Sequence, residues 1–486
     1  MDQPRRRPPL PAGADTRHGR GRGAGPAVSR AAQTGVPASR FARPGRVMRI
    51  TAADRWQLAP GQVLSWRVLL DRSVRPEPVP LSVNQRNHLR AAVAGERTVW
   101  LAATFEVPGP ISATELTAAY HALISRHSTL QCEVTNEDGE PRADRYDPAQ
   151  VVCLPRWPRE TSSPTETTEL VRALLDTECA PFGYPAFALA AVSRPDVSTI
   201  VLGFDHLHVD AHSIALAVRD MSRLYRGQEL PPAGCFVSRV AEWCEPPPAG
   251  DPHPALWRAH FESVGYRLPQ FPLPLGLAPG ATAEPGTELG RLADAGTTLR
   301  LAEAARLSGS TTNGALLTTL ARALQAIGGP AATSALMPVQ TRRPGDEHAL
   351  GWFTTTAPVT ADTSLAETAA SLRRARQLAA LPLDQALSSL SRPLRWDRRD
   401  VFMVSYVDYR RLPGAAGIDG LRPQHVSAAA EADGVQIWVA RTFSGLSVRV
   451  RYPDTGQART VVRAMVGNWR EAVAAVADEH LAGALI

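Results

Sequence analysis

The stretch from Phe187 to Gly227 admits few structures. Phe187 to Val192 and Ser198 to Phe204 are β-rich runs separated by a turn containing Pro195 and Asp196. The second run passes through Asp205, His206, His208, Asp210 and His212, within the string DHLHVDAH. A helical segment follows, with Ile214, Ala217, Val218, Met221, Leu224 and Tyr225 on one face and Gly227 as its stop. The spacing therefore predicts a hairpin strand feeding an amphipathic helix, with five ionisable side chains at the junction. Rigid elements on both sides hold such a loop in place, and functional side chains commonly sit there.

Strands and helices alternate on either side of this junction, which places the chain in the α/β class. Val99 to Val107 has the pattern of a strand. Ser112 and Glu115 form a capping box ahead of Leu116, Tyr120, Leu123 and Ile124, and a further helical stretch runs through Leu170, Leu174 and Leu175. From Pro246 to about residue 296 the chain is rich in Pro and Gly, with one helix expected near Ala255 to Val264. Helices are then expected at Thr311 to Ile327, Leu365 to Leu378 and Ala458 to Val476. Strands are expected at Ala335 to Val339, Phe353 to Val359, Val401 to Val407, Val435 to Ala440 and Leu446 to Tyr452. The expected domains are a disordered Arg/Pro/Gly-rich tail over 1–47, an N-terminal lobe over 48–245, a linker over 246–296 and a C-terminal lobe over 297–486. Met48 is an alternative start.

Composition removes several classes of function. With 486 residues, 44% hydrophobic and 21% charged, the chain has core material for two lobes. Ten Arg and two Asp within residues 1–47 account for +8 of the net +6, leaving −2 on the remainder. A basic tail on a nearly neutral body is not the footprint of a nucleic-acid-binding domain. No apolar run approaches the ~20 residues of a membrane span. The amino terminus lacks the apolar stretch of a secretory signal. Cys132, Cys153, Cys179, Cys235 and Cys244 are odd in number and contain no CxxC pair, as expected of reduced thiols in a cytoplasmic protein.

The His/Asp string allows three readings. His206, His208, Asp210 and His212 alternate, and HxHxD is similar to the ligand string of metallo-β-lactamases; yet Ala211 interrupts the HxHxDH order, and His253, His260, His348 and His425 offer no convincing further ligands. Read as HxxxD, His206 and Asp210 suit acyl transfer. An imidazole can accept the proton of an amine or hydroxyl attacking a thioester, whose carbonyl is already activated, so no enzyme nucleophile is needed. The third reading is a solvated, purely structural turn.

Further motifs favour acyl transfer. The string resembles the HHxxxDG motif of the condensation-domain family of the chloramphenicol-acetyltransferase-like superfamily, with Asp205 in the first His place, His206 in the second, and Asp210 and Ala211 in the DG places. Ser213 fits the same motif. LSVNQRNH, with Ser82, Gln85 and Arg86, resembles SxAQxR; SRHSTLQ, with Arg126, His127 and Leu130, resembles RHxxLR; FVSRVAEW, with Trp243, resembles YxDYAxW. Arg343, Pro344, Gly351, Phe353 and Thr355 resemble the stretch in which RP precedes GxFVNT. These motifs occur in the family's order over residues 80–410.

The resemblance implies two chloramphenicol-acetyltransferase-like lobes in a V around a central tunnel, with His206 midway as general base or as the group positioning the nucleophile. It implies that Asp210 is structural, its carboxylate paired with Arg343 or with the adjacent Arg342. Asp205 is then either a modulator beside His206 or a side chain turned into the core, and Ala211 in the Gly place is expected to alter the turn. His121 and His127 are read as structural, and Trp352 and Phe353 as core or tunnel lining. The implied activity is a free-standing condensation-type acyltransferase of nonribosomal-peptide or other secondary metabolism, forming an amide or ester. Its partners would be an acyl or peptidyl carrier protein and a small-molecule acceptor. No bound cofactor or metal is expected, because phosphopantetheine arrives on the donor, carrier protein or coenzyme A; the absence of a DFGWG string favours a carrier protein. A degenerate domain that binds acyl carriers is the alternative.

Overall fold

The computed structural model describes residues 48–412, 420–428 and 430–484. The expected tail over 1–47 lies outside the described residues. The chain builds two large sheets. At the centre of the first is the strand Val197–Asp205, antiparallel to Trp100–Pro108 on one side and to Phe187–Ser193 on the other. Its side chains alternate between two cores. Ile200, Leu202 and Phe204 meet Leu116, Leu123, Ile214 and Met221 of the helices Ala113–Arg126 and Ala211–Leu224. Val201 faces Val171 and Leu175 of the helix Pro164–Glu178 on the other side. Gly203 permits this close packing, since a Cβ there would lie 2.2 Å from Leu175 Cδ2.

The second sheet has six strands in the order Pro285–Asp294, Gly445–Pro453, Gln436–Thr442, Met403–Asp408, Ala332–Gln340 and Thr354–Asp362. The helices Thr312–Ala326 and Gly456–Ala484 cover it, and the buried Trp469 indole donates to Leu316 O and Thr319 Oγ1 at 3.1 and 3.0 Å. Five of these strands match the expected β segments to within a few residues.

Two features depart from the expected boundaries. Pro285–Asp294, inside the segment read as linker, is an edge strand of the second sheet. Its PGTELGRLAD sequence has little β-branched character, so the surrounding Pro and Gly hid it. The short strand Gln424–Ser427, from the second half of the chain, lies in the first sheet. It is parallel to Arg49–Ala52 and antiparallel to Trp100–Pro108. Four residues reading QHVS have no periodicity to detect. The two halves are therefore interleaved through backbone hydrogen bonds. Among the described residues no helix is long and apolar enough to cross a membrane, and all five cysteines are free thiols.

Val426 on the shared strand is fully buried against the first sheet. Val426→Asp places an uncompensated carboxylate there, and we expect a loss of ~3–5 kcal/mol in urea unfolding. A change below 1 kcal/mol would show that the shared strand does not contribute to stability.

Candidate active site

The central strand ends at Asp205, a single 3-10 turn spans His206–His208, and Asp210 caps the helix Ala211–Leu224. The Asp210 carboxylate accepts the Ser213 N–H at 2.7 Å, the usual means of satisfying an orphan donor at a helix start. Ala211 is the first helical residue and is absent from the positive-φ positions, so a side chain in the family's Gly place costs no strain.

Asp210 pairs with Arg342, not with Arg343. Arg342 Nη1 and Nη2 lie 2.7 and 3.2 Å from the two carboxylate oxygens, and both side chains are buried. Arg342 also donates to Ser213 Oγ at 2.8 Å and to Ala349 O at 3.1 Å, and it stacks over Phe353 at 4.3 Å. Arg343 is 56% exposed and faces Glu242 at 3.4 Å. Consecutive side chains leave this segment on opposite sides, so a one-residue slip in the alignment exchanges the buried cation for a surface one. Ser213 Oγ donates to Gly351 O at 2.8 Å. Gly351 must be small, because a Cβ would meet the Phe236 ring at 2.3 Å.

His206 is half-buried at the start of the turn, its backbone N–H bonded to Val99 O at 3.0 Å. Its ring stacks on Trp352 with centroids 4.0 Å apart and planes at 24°. Nδ1 is buried without a hydrogen-bond partner. Burial, and then the nearby His88, push the imidazole down to about 4, against the opposing effects of its own carbonyl, Asp205 and Asp210. Asp205 is fully buried and turns away from His206. Its Oδ1 lies 2.7 Å from His88 Nε2 and accepts the Leu207 N–H at 2.8 Å. Asp205 thus lies in the core, and its charge also raises the proton affinity of His206.

The metal-ligand arrangement does not form. His208 is buried with Nδ1 3.1 Å from Thr129 Oγ1, His212 Nε2 faces Glu347 O at 3.4 Å, and Asp210 is held by Arg342. Among the described residues no three His, Cys, Asp or Glu side chains gather to hold an ion. His127 is buried beside Asp220 at 3.1 Å, and the same carboxylate also binds Arg126 and Arg219. His121 lies 3.4 Å from Ser125 Oγ on its own helix.

Sequence reasoning missed three residues beside the junction. His88 follows the SxAQxR-like motif by two positions; Trp352 was assigned only to core or lining; His425, on the shared strand, binds Tyr409 OH at 3.1 Å and leaves Nε2 buried without a partner. No local signal marks these residues, because each reaches the site only through tertiary packing. His88 also borders a cavity of about 890 Å³, whose wall includes Asn84, Val99, Leu336, Met403 and Trp257. That volume is in the range of small-molecule sites.

Comparison with known proteins gives a consistent result. The family profile described as Condensation domain matches residues 77–387. The acyltransferase PapA3 of Mycobacterium tuberculosis is 24% identical over 469 residues, covering 89% of this chain and 97% of that protein. The 2'-acyl-2-O-sulfo-trehalose (hydroxy)phthioceranyltransferase PapA1 of Mycobacterium bovis is 24% identical over 464 residues, covering 88% of this chain and 84% of that protein. The solved structure of PapA2 acyl transferase superposes with a TM-score of 0.78 at 21% identity, covering 89% of this chain and 100% of that one.

The buried pair and the buried imidazoles yield two predictions. Asp210→Ala strands the Arg342 cation and should cost ~3–5 kcal/mol in urea unfolding, whereas Arg343→Ala should stay within ~0.5 kcal/mol. Equal effects would restore Arg343 as the partner. For acid stability, His206, His208 and His212 are each driven down by burial from 6.5 to about 4. The unfolded chain therefore binds protons that the folded chain refuses, and unfolding free energy should fall as pH drops from 6.5 toward 4. A stability curve flat across that window would contradict these low proton affinities.

Proposed function

The chain belongs to the condensation-domain family, and from that premise we propose that it is an acyltransferase moving an acyl group from a carrier-protein or coenzyme A thioester to an amine or alcohol. One observation carries the reading. His206 sits at the end of the central strand on a turn fixed by Asp210 and Arg342, its ring stacked against Trp352. Such an imidazole meets the attacking hydroxyl or amine as it bonds to the thioester carbon and the thiol departs. Alignment of the two substrates supplies most of the acceleration, because the thioester needs no covalent activation. The buried Asp210–Arg342 pair holds the turn and takes no proton.

Phosphopantetheine enters with the donor, so the site needs no resident cofactor. The relative whose name describes acylation of a trehalose derivative favours an alcohol acceptor and an ester product over a peptide bond.

Acyl loss from candidate acyl-carrier and acyl-coenzyme A thioesters, followed by intact mass with amine and alcohol acceptors, tests the reading. His206→Ala should lower kcat/KM at least ~100-fold while Tm shifts by no more than a few degrees. Full activity in that variant would remove His206 from the chemistry. A wild-type chain that binds acyl carriers without transfer would be a degenerate binding domain.

A further inference from the structure

A second imidazole stands beside His206 with an arrangement that His206 lacks. The helix Val83–Val93 presents Gln85 and His88, one turn apart, to the His206–His208 turn. Gln85 Nε2 donates to Leu207 O at 3.1 Å, and His88 Nε2 lies 2.7 Å from Asp205 Oδ1. The Asp205 side chain is fully buried, and His88 is its side-chain hydrogen-bond partner. A buried carboxylate needs such a partner, and as an anion it can only accept. His88 Nε2 therefore carries the hydrogen, and Nδ1 is left with a lone pair. No hydrogen bond to Nδ1 occurs among the described residues, and His88 lines the 890 Å³ cavity. A carboxylate behind one nitrogen of a ring that also borders a ligand-sized cavity is the arrangement of a general base. His206 has no carboxylate on its ring and an enclosed Nδ1, and its low proton affinity weakens it as a base at neutral pH. The His88 and His206 ring centroids are 6.2 Å apart.

We propose that His88, backed by Asp205, accepts the proton of the acyl acceptor, while His206 positions that acceptor against the thioester. The inference rests on the acyl-transfer reading. In the step, the acceptor oxygen or nitrogen bonds to the carbonyl carbon and its proton passes to His88 Nδ1. The carbon–sulfur bond then breaks and the thiolate takes the proton from Nδ1, leaving the thiol, the acylated product and a neutral ring.

His88 also anchors the turn, so the test uses variants that keep that contact. His88→Gln retains an amide donor toward Asp205. Asp205→Asn retains an acceptor for the Leu207 N–H but can donate to Nε2, which moves the His88 hydrogen to Nδ1. Both variants should keep a Tm near that of the wild type and lose kcat at least ~100-fold, with the acceptor KM within about threefold. If wild-type protein transfers acyl groups and His88→Gln keeps kcat within threefold, the base role of His88 is overturned while the acyltransferase reading stands. Long-range proton–nitrogen NMR of the wild-type histidines gives a readout independent of turnover. Hydrogen on Nε2 of His88 with a bare Nδ1 supports the dyad, and hydrogen on Nδ1 overturns it. A wild-type chain inactive with every donor and acceptor removes the function itself, and the tautomer then decides the dyad alone.

Discussion

The ion pair between Asp210 and Arg342 is the constraint on which the site depends. It joins a helix cap in the first half of the chain to a loop in the second, and both side chains are buried. Burial alone would push the Asp210 carboxyl up, but Arg342 more than offsets this and holds it below its usual range. The arginine also donates to Ser213, Ala349 and Gln340 and lies over the Phe353 ring, while its Nε has no partner. A pair with that many satisfied donors fixes one register between the halves, and the His206 turn inherits its position from that register.

Other contacts run along the same seam. The Leu350 N–H donates to His127 Nδ1 at 3.3 Å, and Arg219 Nη1 lies 3.0 Å from His348 Nδ1. Arg219 in turn shares Asp220 with Arg126 and His127. Polar groups of this density inside a protein are stable only when nearly all are satisfied. Among the buried polar atoms without a partner, Asp205 Oδ2, His206 Nδ1, His208 Nε2 and His425 Nε2 lie at or beside the turn. A site that receives substrate must leave some polar capacity open, and three of these four atoms are imidazole nitrogens.

Much of this was legible from residue order. The hairpin, the strand-to-helix junction and the cap at Asp210 follow from periodicity and local hydrogen-bonding preference, which act within a few residues and leave a mark in the sequence. The two-lobed family resemblance was legible too, because motifs in a fixed order need no contact information. What escaped was everything decided at long range. The choice of Arg342 over Arg343 depends on which side of the chain faces Asp210, and two adjacent arginines look alike in sequence. The strand Gln424–Ser427 is too short and polar to announce itself, yet it completes a sheet begun more than 300 residues earlier. Trp352, read only as core or tunnel lining, is the surface on which His206 lies.

The substitutions that set this chain apart from its family's motif make sense together. With Asp205 in the first His place, a carboxylate occupies a position with no exposure to water, which is untenable without a cation or donor nearby. His88 supplies that donor from a neighbouring helix, so the turn still has two imidazoles beside it, one contributed by the motif and one by the helix facing it. Ala211 in the Gly place is accommodated because the helix has already begun there and the backbone needs no left-handed conformation. Neither change therefore dismantles the turn. The helix facing the turn thereby sets one imidazole at the cavity wall.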